Sequence, residues 1–387
     1  MPDHKASDEL TLITVASEQV WPNINAILHY RPTHLILLHT ADEKRSAKPA
    51  RRLRSFCIGN DLVDTGRITL LEIPSDSLGG ILGKLAQIQT ERDLKGENSI
   101  VNLTGGTKYM GVALYTFALF KNSIPCIYFE MERIYMLSKE GKGITQHPVA
   151  TLPRDLVDHL DPHEIARCQG GDAVIEDPGQ LLTLQARWLK PSRDRSHFVD
   201  TLENKNFHLV FDKWEEPEPY EDGFDLEFQV AALLLFEGVQ KVRRSFRLRV
   251  PHPGGREGSS DQEIDLMFNH GGQRLYFVEC KDRNVDVYNK LELLRAKALK
   301  SPKAKSRSLN TAYEIVHQAL QTNRTAKFKE DLFHSARLSG LTAKTIWVMR
   351  KPPGRHESDF CKLEAIDVIL SGNMAEEIAQ LPCFGKR

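Results

Sequence analysis

Short apolar runs alternate with longer amphipathic segments over the first third of the chain. The runs have the length of buried strands, and they lie at residues 10–15, 34–39, 68–73, 100–103, 126–129 and 134–137. Predicted helices fill the first four gaps, one beginning near Pro22 and others at 44–57, 78–90 and 107–120. This alternation predicts an α/β fold with a mainly parallel, doubly wound sheet of six strands, closed by a hairpin at 131–133. Ligands of such sheets bind beyond the carboxyl ends of the strands.

Residues 104–108 follow the fourth predicted strand and lead directly into a helix. They are Thr104, Gly105, Gly106, Thr107 and Lys108. Two glycines allow close backbone approach to a ligand, and the start of a helix offers free N–H groups and a positive dipole, which suit a phosphate. The P-loop spacing is absent and no GxGxxG motif occurs, so ATP hydrolysis and dinucleotide binding are disfavoured. An ordinary strand-to-helix turn is the alternative interpretation.

The loop after the first predicted strand falls on the same edge of the sheet. It carries Ser17, Glu18 and Gln19, followed by Trp21. Polar side chains beside an exposed Trp suit a nucleobase. A helix cap followed by a core Trp explains the same residues, so both interpretations stand at this point.

The pattern blurs between residues 145 and 205, where Pro, Gly and polar residues predict a connecting segment with one or two short helices. A second domain is predicted from residue 206. Its elements are a buried helix at 226–237 that ends at Gly238, a β-hairpin at 260–281, a helix at 289–300 and a strand at 344–348. This order predicts a mixed sheet. The predicted organisation is a first domain at 1–145, a connection at 146–205 and a second domain at 206–387.

The hairpin concentrates charged residues beside two apolar strand cores. Because alternate residues of a strand share a face, Glu263 shares one with Asp265. Glu279 likewise shares a face with Lys281, and Cys280 lies on the opposite one. Carboxylates at the edge of a buried sheet need a neutralising cation, which a divalent metal would supply. A solvated strand end with an internal ion pair is the alternative.

Charge is segregated along a chain whose formal net charge is zero over 387 residues. Residues 241–256 carry six Lys or Arg and no acid, and residues 212–227 carry eight acids against one Lys. A later helical segment carries Lys290 and Arg295. A basic strip beside an acidic cluster fits a nucleic-acid backbone next to a metal site, although solvated surface explains most single charge runs. Glu227, in the first turn of its predicted helix, either joins the hairpin acids or complements the helix dipole.

The six cysteines are scattered and contain no CxxC pair. This argues against structural zinc and for a reducing compartment. No apolar segment has the length of a signal peptide or a membrane-spanning helix. We therefore expect a cytoplasmic protein without a membrane partner.

Two motifs resemble known families. Asp265 and the strand Glu279-Cys280-Lys281, with Glu227 upstream, resemble the PD-(D/E)xK superfamily of restriction-endonuclease-like folds. The first domain, with its Rossmann-like order and the turn at 103–108, resembles the CRISPR-associated Rossmann-fold (CARF) sensors of cyclic oligoadenylates. In this order the two resemble the CRISPR ancillary nucleases of type III systems. The chain departs from the pattern in lacking the proline before the first acid and in the long segment that precedes the strand at 344–348.

The resemblance implies a function for each group of residues. Glu227, Asp265, Glu279 and the carbonyl of Cys280 would hold Mg²⁺ or Mn²⁺, with Lys281 positioning water and Glu263 as an additional candidate ligand. The loop at 17–21 and the turn at 104–108 would bind cyclic tetra-adenylate across the two-fold axis of a homodimer, and this would activate cleavage of DNA and/or RNA. Two alternatives remain: a CARF-type DNA-binding regulator without catalysis, and a stand-alone repair or restriction-type nuclease.

Overall fold

The computed structural model describes residues 9–130, 133–153, 155–170, 183–191, 194–212, 224–251, 259–270, 275–281, 344–349, 358, 361–362 and 366–384. The chain forms two compact units, one built chiefly from residues 1–176 and the other chiefly from residues 177–387. Each unit has its own sheet and its own hydrophobic core.

A sheet of eight strands organises the first unit. Its strands are β1 (Thr11–Val15), β2 (His34–His39), β3 (Ile68–Glu72), β4 (Ser99–Asn102), β5 (Cys126–Glu130), β6 (Arg133–Glu140), β7 (Gly143–Gln146) and β8 (Ala150–Thr151). Their order is β3-β2-β1-β4-β5-β6-β7, and β8 pairs with β6. The first five strands run parallel, whereas β6, β7 and β8 are antiparallel. The predicted parallel sheet is confirmed, but the prediction of six strands was two short.

Helices cover this sheet as the strand–helix alternation predicts. They are α1 (Trp21–Tyr30), α2 (Lys48–Gly59), α3 (Leu78–Arg92), α4 (Lys108–Tyr115) and α5 (Pro162–Gly170). Local signals set their starts: proline occupies the first turn of α1 and of α2, and the Ser77 hydroxyl accepts from the Gly80 N–H at the start of α3. Ile81, Leu85 and Ile88 of α3 recur at helical spacing and are buried in the core of the unit.

The second unit contains a mixed sheet of six strands. Its strands are β9 (Thr183–Gln185), β10 (Lys241–Pro251), β11 (Ser259–Asn269), β12 (Leu275–Lys281), β13 (Lys344–Met349) and β14 (Asp367–Leu370), and its helices are α6 (Arg195–Glu203), α7 (Phe207–Val210), α8 (Phe224–Phe236) and α9 (Met374–Ala379). The strand order is β14-β13-β12-β11-β10-β9. β9, β10 and β11 pair antiparallel, whereas β12, β13 and β14 pair parallel, so the predicted mixed sheet is confirmed.

Helix α8 lies at the centre of the second core. Its residues from Leu226 to Leu235 are nearly all apolar. They pack with Leu266 of β11, Val278 of β12 and Ile346 of β13. The chain leaves the helix at Gly238, whose φ of +115° favours glycine. The buried helix predicted at 226–237 therefore exists and begins two residues earlier.

The segment predicted as a connection, 146–205, includes ordered elements of both units: α5 lies in the first and α6 in the second. The helix predicted at 289–300, with Lys290 and Arg295, lies outside the described residues. Within the part of the chain that the structure describes, no helix is long and apolar enough to cross a membrane.

Candidate functional site

A cavity of about 830 Å³ opens at the carboxyl ends of the parallel strands in the first unit. Its walls include six of the residues predicted to bind a ligand: Ser17, Glu18, Gln19, Gly105, Gly106 and Thr107. The first three follow β1 and the others follow β4. Since β1 and β4 are neighbours in the sheet, the two predicted loops meet at one site, where a doubly wound sheet binds its ligands.

Residues after β2 and on α3 also line the cavity, although they were not predicted as ligand residues. They include Thr40, Asp42, Arg45 and Ser46 after β2, and Lys84 on α3. Arg45 and Lys84 bring positive charge to the cavity, which suits an anionic ligand. The signal was available in the sequence, because the polar residues 40–45 directly follow a predicted strand whose carboxyl end lies at the same edge.

A buried polar network connects the loops at the base of the cavity. The Asn102 side-chain N–H₂ lies 3.2 Å from the Thr14 hydroxyl oxygen and 3.3 Å from Asn23 Oδ1, and Asn102 Oδ1 accepts the Thr104 N–H at 2.9 Å. Asn23 in turn donates to the Val15 carbonyl at 3.0 Å. These bonds join the ends of β1 and β4 to the first turn of α1, so the glycine turn starts from a fixed point.

Two further side chains hold the loop after β1. The Ser46 hydroxyl donates to the Ala16 carbonyl at 3.0 Å and accepts the Thr40 N–H at 3.0 Å. On α5, the side chain of Gln169 accepts the Val20 N–H at 3.1 Å and donates to the Glu18 carbonyl. The loop is therefore fixed by side chains from two other segments.

Three predicted ligand residues do not line the cavity. Trp21 is 3% exposed and belongs to the core, as the interpretation of a helix start followed by a core Trp predicts, so the exposed Trp beside a nucleobase was wrong. Thr104 directs its hydroxyl to accept the Phe129 N–H at 2.7 Å, and so supports the turn. Lys108 is the exposed first residue of α4.

The second unit contains a buried ion pair between α8 and β10. Arg244 Nη2 lies 3.0 Å from Glu227 Oε2, and the two side chains are 4% and 18% exposed. The guanidinium carbon also lies 3.8 Å from the centre of the Phe228 ring. Arg244 belongs to the basic strip 241–256, which was predicted to face a nucleic-acid backbone or solvent. Its burial excludes both roles in this structure.

Three acids share this region. Burial, with the negative charges of Asp265 and Glu263, raises the pKa of Glu227 to about 7, although Arg244 acts in the opposite direction. Asp265 Oδ2 accepts the backbone N–H of Cys280 at 2.5 Å. Next to Arg244, Ser245 has a φ of +47°, and the ladder between β10 and β11 omits it at the position facing Asp265. β10 is therefore irregular opposite Asp265.

Glu279 is 4% exposed and occupies a different face of β12. Cys280 and Val278 pack with the core around α8, whereas Glu279 pairs in register with Trp347 of β13, which belongs to another cluster. The Glu279 side chain therefore lies on the face of the sheet away from α8. The same alternation places Asp265 and Glu263 on that face, since Leu266 and Phe268 of β11 pack with α8. The side chain of Lys281 lies outside the described residues.

The family comparison concerns the unit with the cavity. Residues 11–151 match the family model described as the Card1 CARF domain. The first unit is therefore a CARF domain. The predicted resemblance to CARF proteins is thus confirmed. No curated protein matches the chain.

Solved structures match the CARF domain and the second unit together, each with a TM-score of 0.56. Can2 from Sulfobacillus thermosulfidooxidans, in complex with cyclic tetra-adenylate, is 15% identical and covers 97% of this chain and 99% of its own. VC1899 from Vibrio cholerae is 12% identical and covers 96% of this chain and 97% of its own. A type III CRISPR defence DNA nuclease activated by cyclic oligoadenylate is 17% identical and covers 99% of this chain and 53% of its own. The whole chain thus shares the α/β fold of these structures, and the predicted fold class is confirmed.

Glycine is required at the turn of the CARF domain. Gly105 and Gly106 have φ of +111° and +75°, and a Cβ on Gly106 would lie 2.9 Å from Val15 Cγ1 and 3.0 Å from Met110 Sδ. Other residues are strained in this backbone region and would push β1 from α4.

We expect the variant Gly106→Ala to be destabilised by about 1–2 kcal/mol, because it adds both a left-handed strain and a steric conflict. Gly83→Ala is the matched control, since a Cβ on Gly83 of α3 would meet no atom within 4 Å, and alanine in a helix interior stabilises by about 0.5–1 kcal/mol. Urea unfolding of both variants measures the difference. Equal stabilities would show that the turn tolerates a side chain.

The acids of the second unit have the donor chemistry of a metal site, but the described residues do not show the arrangement of one. Among the described residues, no group of three or more His, Cys, Asp or Glu is arranged to hold one. The donor chemistry nevertheless fits Mg²⁺ or Mn²⁺, since these hard cations prefer carboxylate oxygens. Burial is the main cause of the raised pKa of Glu227, and the negative charges of Asp265 and Glu263 add to it. Only this second contribution would be relieved by a bound cation.

Proposed function

We propose that this protein is a metal-dependent nuclease of type III CRISPR defence that cyclic tetra-adenylate activates. The observation that carries the proposal is the combination, in one chain, of a CARF domain with an open cavity and a second unit with clustered acids. The shared architecture with Can2 and with a type III CRISPR defence nuclease supports it.

The nuclease centre is proposed at the acids around α8. Glu227, Asp265, Glu279 and the carbonyl of Cys280 would hold one or two Mg²⁺ or Mn²⁺ ions, with Glu263 as an additional ligand. The bound metal would polarise the scissile phosphate and lower the pKa of a water molecule. Lys281 would position that water or stabilise developing negative charge. By strand alternation Glu279 shares a face of the sheet with Asp265, and Glu227 would have to reach the metal from the start of α8.

The nucleic-acid substrate is DNA and/or RNA in this proposal. Lys290 and Arg295 would bind its phosphate backbone, because such contacts are electrostatic and independent of sequence. Both lie outside the described residues, so their assignment rests on the charge pattern and the family resemblance.

The activator would bind in the cavity of the CARF domain. The backbone of the 105–107 turn precedes α4, whose first turn offers N–H groups to a phosphate, and Arg45 and Lys84 add positive charge. Ser17 and Gln19 would contact the bases or riboses, with Glu18, Thr104 and Lys108 beside them. Trp21 would act from the core by holding the start of α1.

An exposed apolar surface on the CARF domain supports a homodimer. Tyr109 and Val112 of α4 are 60% and 54% exposed, and Phe120, in the turn that continues this helix, is 58% exposed. The occupant we propose is a second copy of the chain. Cyclic tetra-adenylate has two-fold symmetry, so a ligand on the dimer axis would contact both copies of the turn that precedes α4.

We expect the variant Tyr109→Ser/Val112→Glu to be monomeric and to lose cyclic tetra-adenylate binding, because a buried charge on each copy opposes association. Val149→Glu is the control, since Val149 is 45% exposed in the same unit but lies outside α4. Light scattering coupled to gel filtration gives the mass of each. A dimeric double variant would place the interface elsewhere.

Cleavage assays test the proposed function against its alternatives. The proposal predicts that the protein with cyclic tetra-adenylate and Mn²⁺ degrades supercoiled plasmid or single-stranded RNA, and that EDTA abolishes this. A DNA-binding regulator would shift plasmid mobility without cutting. A stand-alone nuclease would cut equally without the nucleotide.

A further inference from the structure

Arg244 lies among the acids of the second unit, and the proposed mechanism assigns it no role. Arg244 lies on β10 and is 3% exposed. Its Nη2 donates to Glu227 Oε2 at 3.0 Å, and its guanidinium carbon lies 3.8 Å from the centre of the Phe228 ring. Burying a guanidinium costs desolvation energy that an ion pair and a ring recover only when the geometry is good. The groups around Arg244 must therefore compensate the cost of burying its charge.

The surroundings are the acids proposed as metal ligands. Glu263 and Glu227 both interact electrostatically with Arg244, and Asp265 acts on Glu227. Without a metal, carboxylates held this close repel each other. A fixed guanidinium near these carboxylates neutralises part of their negative charge. A bound divalent metal would neutralise the same charge.

Protein N–H groups already bind one carboxylate oxygen of Glu227 and one of Asp265. Glu227 Oε2 accepts from Arg244, and Asp265 Oδ2 accepts from the Cys280 N–H. A metal would therefore have to displace these protein donors or use the other oxygen of each carboxylate. This agrees with the absence of a three-residue metal group in the part of the chain that the structure describes.

We propose that Arg244 is an internal counter-cation of the acid cluster, and that a divalent metal binds by taking Glu227 from it. The inference rests on the proposed metal-dependent nuclease function. The guanidinium keeps its charge throughout, and the exchange breaks one ion pair and forms one metal–carboxylate contact. Metal affinity is therefore set partly by the strength of the Glu227–Arg244 pair.

Mn²⁺ titration calorimetry on the full chain, without nucleic acid, tests the exchange. Arg244→Met keeps the volume but removes the competing charge, and we expect it to bind Mn²⁺ about tenfold more tightly, the effect of one strong charge contact. Arg244→Lys keeps the charge and is expected to stay within about threefold of wild type. In a Glu227→Gln background, Arg244→Met should change Mn²⁺ affinity by less than about twofold.

Thermal unfolding in EDTA is the second measurement. Arg244→Met should lower the melting temperature, because Glu227 loses its partner, and adding Glu227→Gln should restore part of the loss. If Arg244→Met does not fold, Phe228→Leu leaves both charges but removes the ring, and we expect it to tighten Mn²⁺ binding about threefold.

Several outcomes would overturn the inference. Weaker Mn²⁺ binding by Arg244→Met would make Arg244 a residue that positions Glu227 for the metal, and unchanged binding would make it purely structural. If wild type binds Mn²⁺ but the variants do not differ, only the inference fails. If wild type neither binds Mn²⁺ nor cleaves nucleic acid with it, the proposed function fails as well.

Discussion

Asp265→Asn is expected to lower Mn²⁺-dependent cleavage by about 10³-fold while leaving the protein folded. Asp265 is the hairpin acid that acts electrostatically on Glu227, and its Oδ2 accepts from the Cys280 N–H. An amide of the same shape cannot carry the negative charge that a metal needs, and losing one such electrostatic contribution to a phosphoryl transition state costs about 10²–10³-fold. Rates at saturating cyclic tetra-adenylate measure the loss, with thermal unfolding as the test of folding.

Asp200→Asn is the matched control, because Asp200 is exposed on α6 of the same unit and the substitution is identical. Its rate should equal that of wild type. Full activity of Asp265→Asn would remove the hairpin from the proposed centre. Glu279→Gln adds a separate test: a loss as large as that of Asp265→Asn would support Glu279 as a second hairpin ligand of the metal.

Arg45→Gln/Lys84→Gln should weaken cyclic tetra-adenylate binding by about 100-fold. Both cations line the cavity at the strand ends. A charge-assisted hydrogen bond contributes about 1.5–3 kcal/mol, so each substitution should cost about tenfold or more in affinity. Fluorescence polarisation with a labelled nucleotide measures binding, and the concentration of nucleotide needed for half-maximal cleavage should rise in parallel.

Lys44→Gln is the control for this pair, since Lys44 is exposed beside Arg45 but does not line the cavity. Its affinity should stay within about twofold of wild type. Unchanged binding by the double variant would show that the phosphates lie elsewhere, and the cavity would lose its assignment as the activator site.

The sequence was most informative where local pattern and tertiary structure agree. β1 to β5 are short apolar runs between amphipathic helices, and a parallel sheet buried on both faces produces this pattern. β7 and β8 escaped prediction because Gly143–Gln146 is largely exposed and Ala150–Thr151 is two residues long. Such strands exist through pairing with β6, which periodicity does not encode.

Some residues of the candidate sites could be predicted from the sequence and others could not. That residues 105–107 and 17–19 meet at one cavity could be predicted, because strand ends of one sheet share an edge. Arg244 could not, because a single Arg in a basic run carries no sign of burial, and only the packing of β10 against α8 shows its partner. Trp21 was ambiguous for a related reason: an apolar ring at a helix start is equally suited to a ligand and to the core.

Under the proposed function, activation requires that the nucleotide bind one arrangement of the protein more tightly than another. Typical coupling free energies of 1–3 kcal/mol correspond to about 5- to 150-fold changes. Because such coupling is reciprocal, the nucleotide should raise the affinity for metal and substrate analogue by a certain factor. Saturating metal and substrate analogue should then raise the affinity for the nucleotide by the same factor.

The most direct test of the central claim is the initial rate of plasmid and single-stranded RNA cleavage by the wild-type protein in Mn²⁺, with and without saturating cyclic tetra-adenylate. The account predicts a rate increase of about 5- to 150-fold on at least one substrate, and its loss in Arg45→Gln/Lys84→Gln at limiting nucleotide. Equal rates with and without the nucleotide, or no cleavage in either condition, would contradict it.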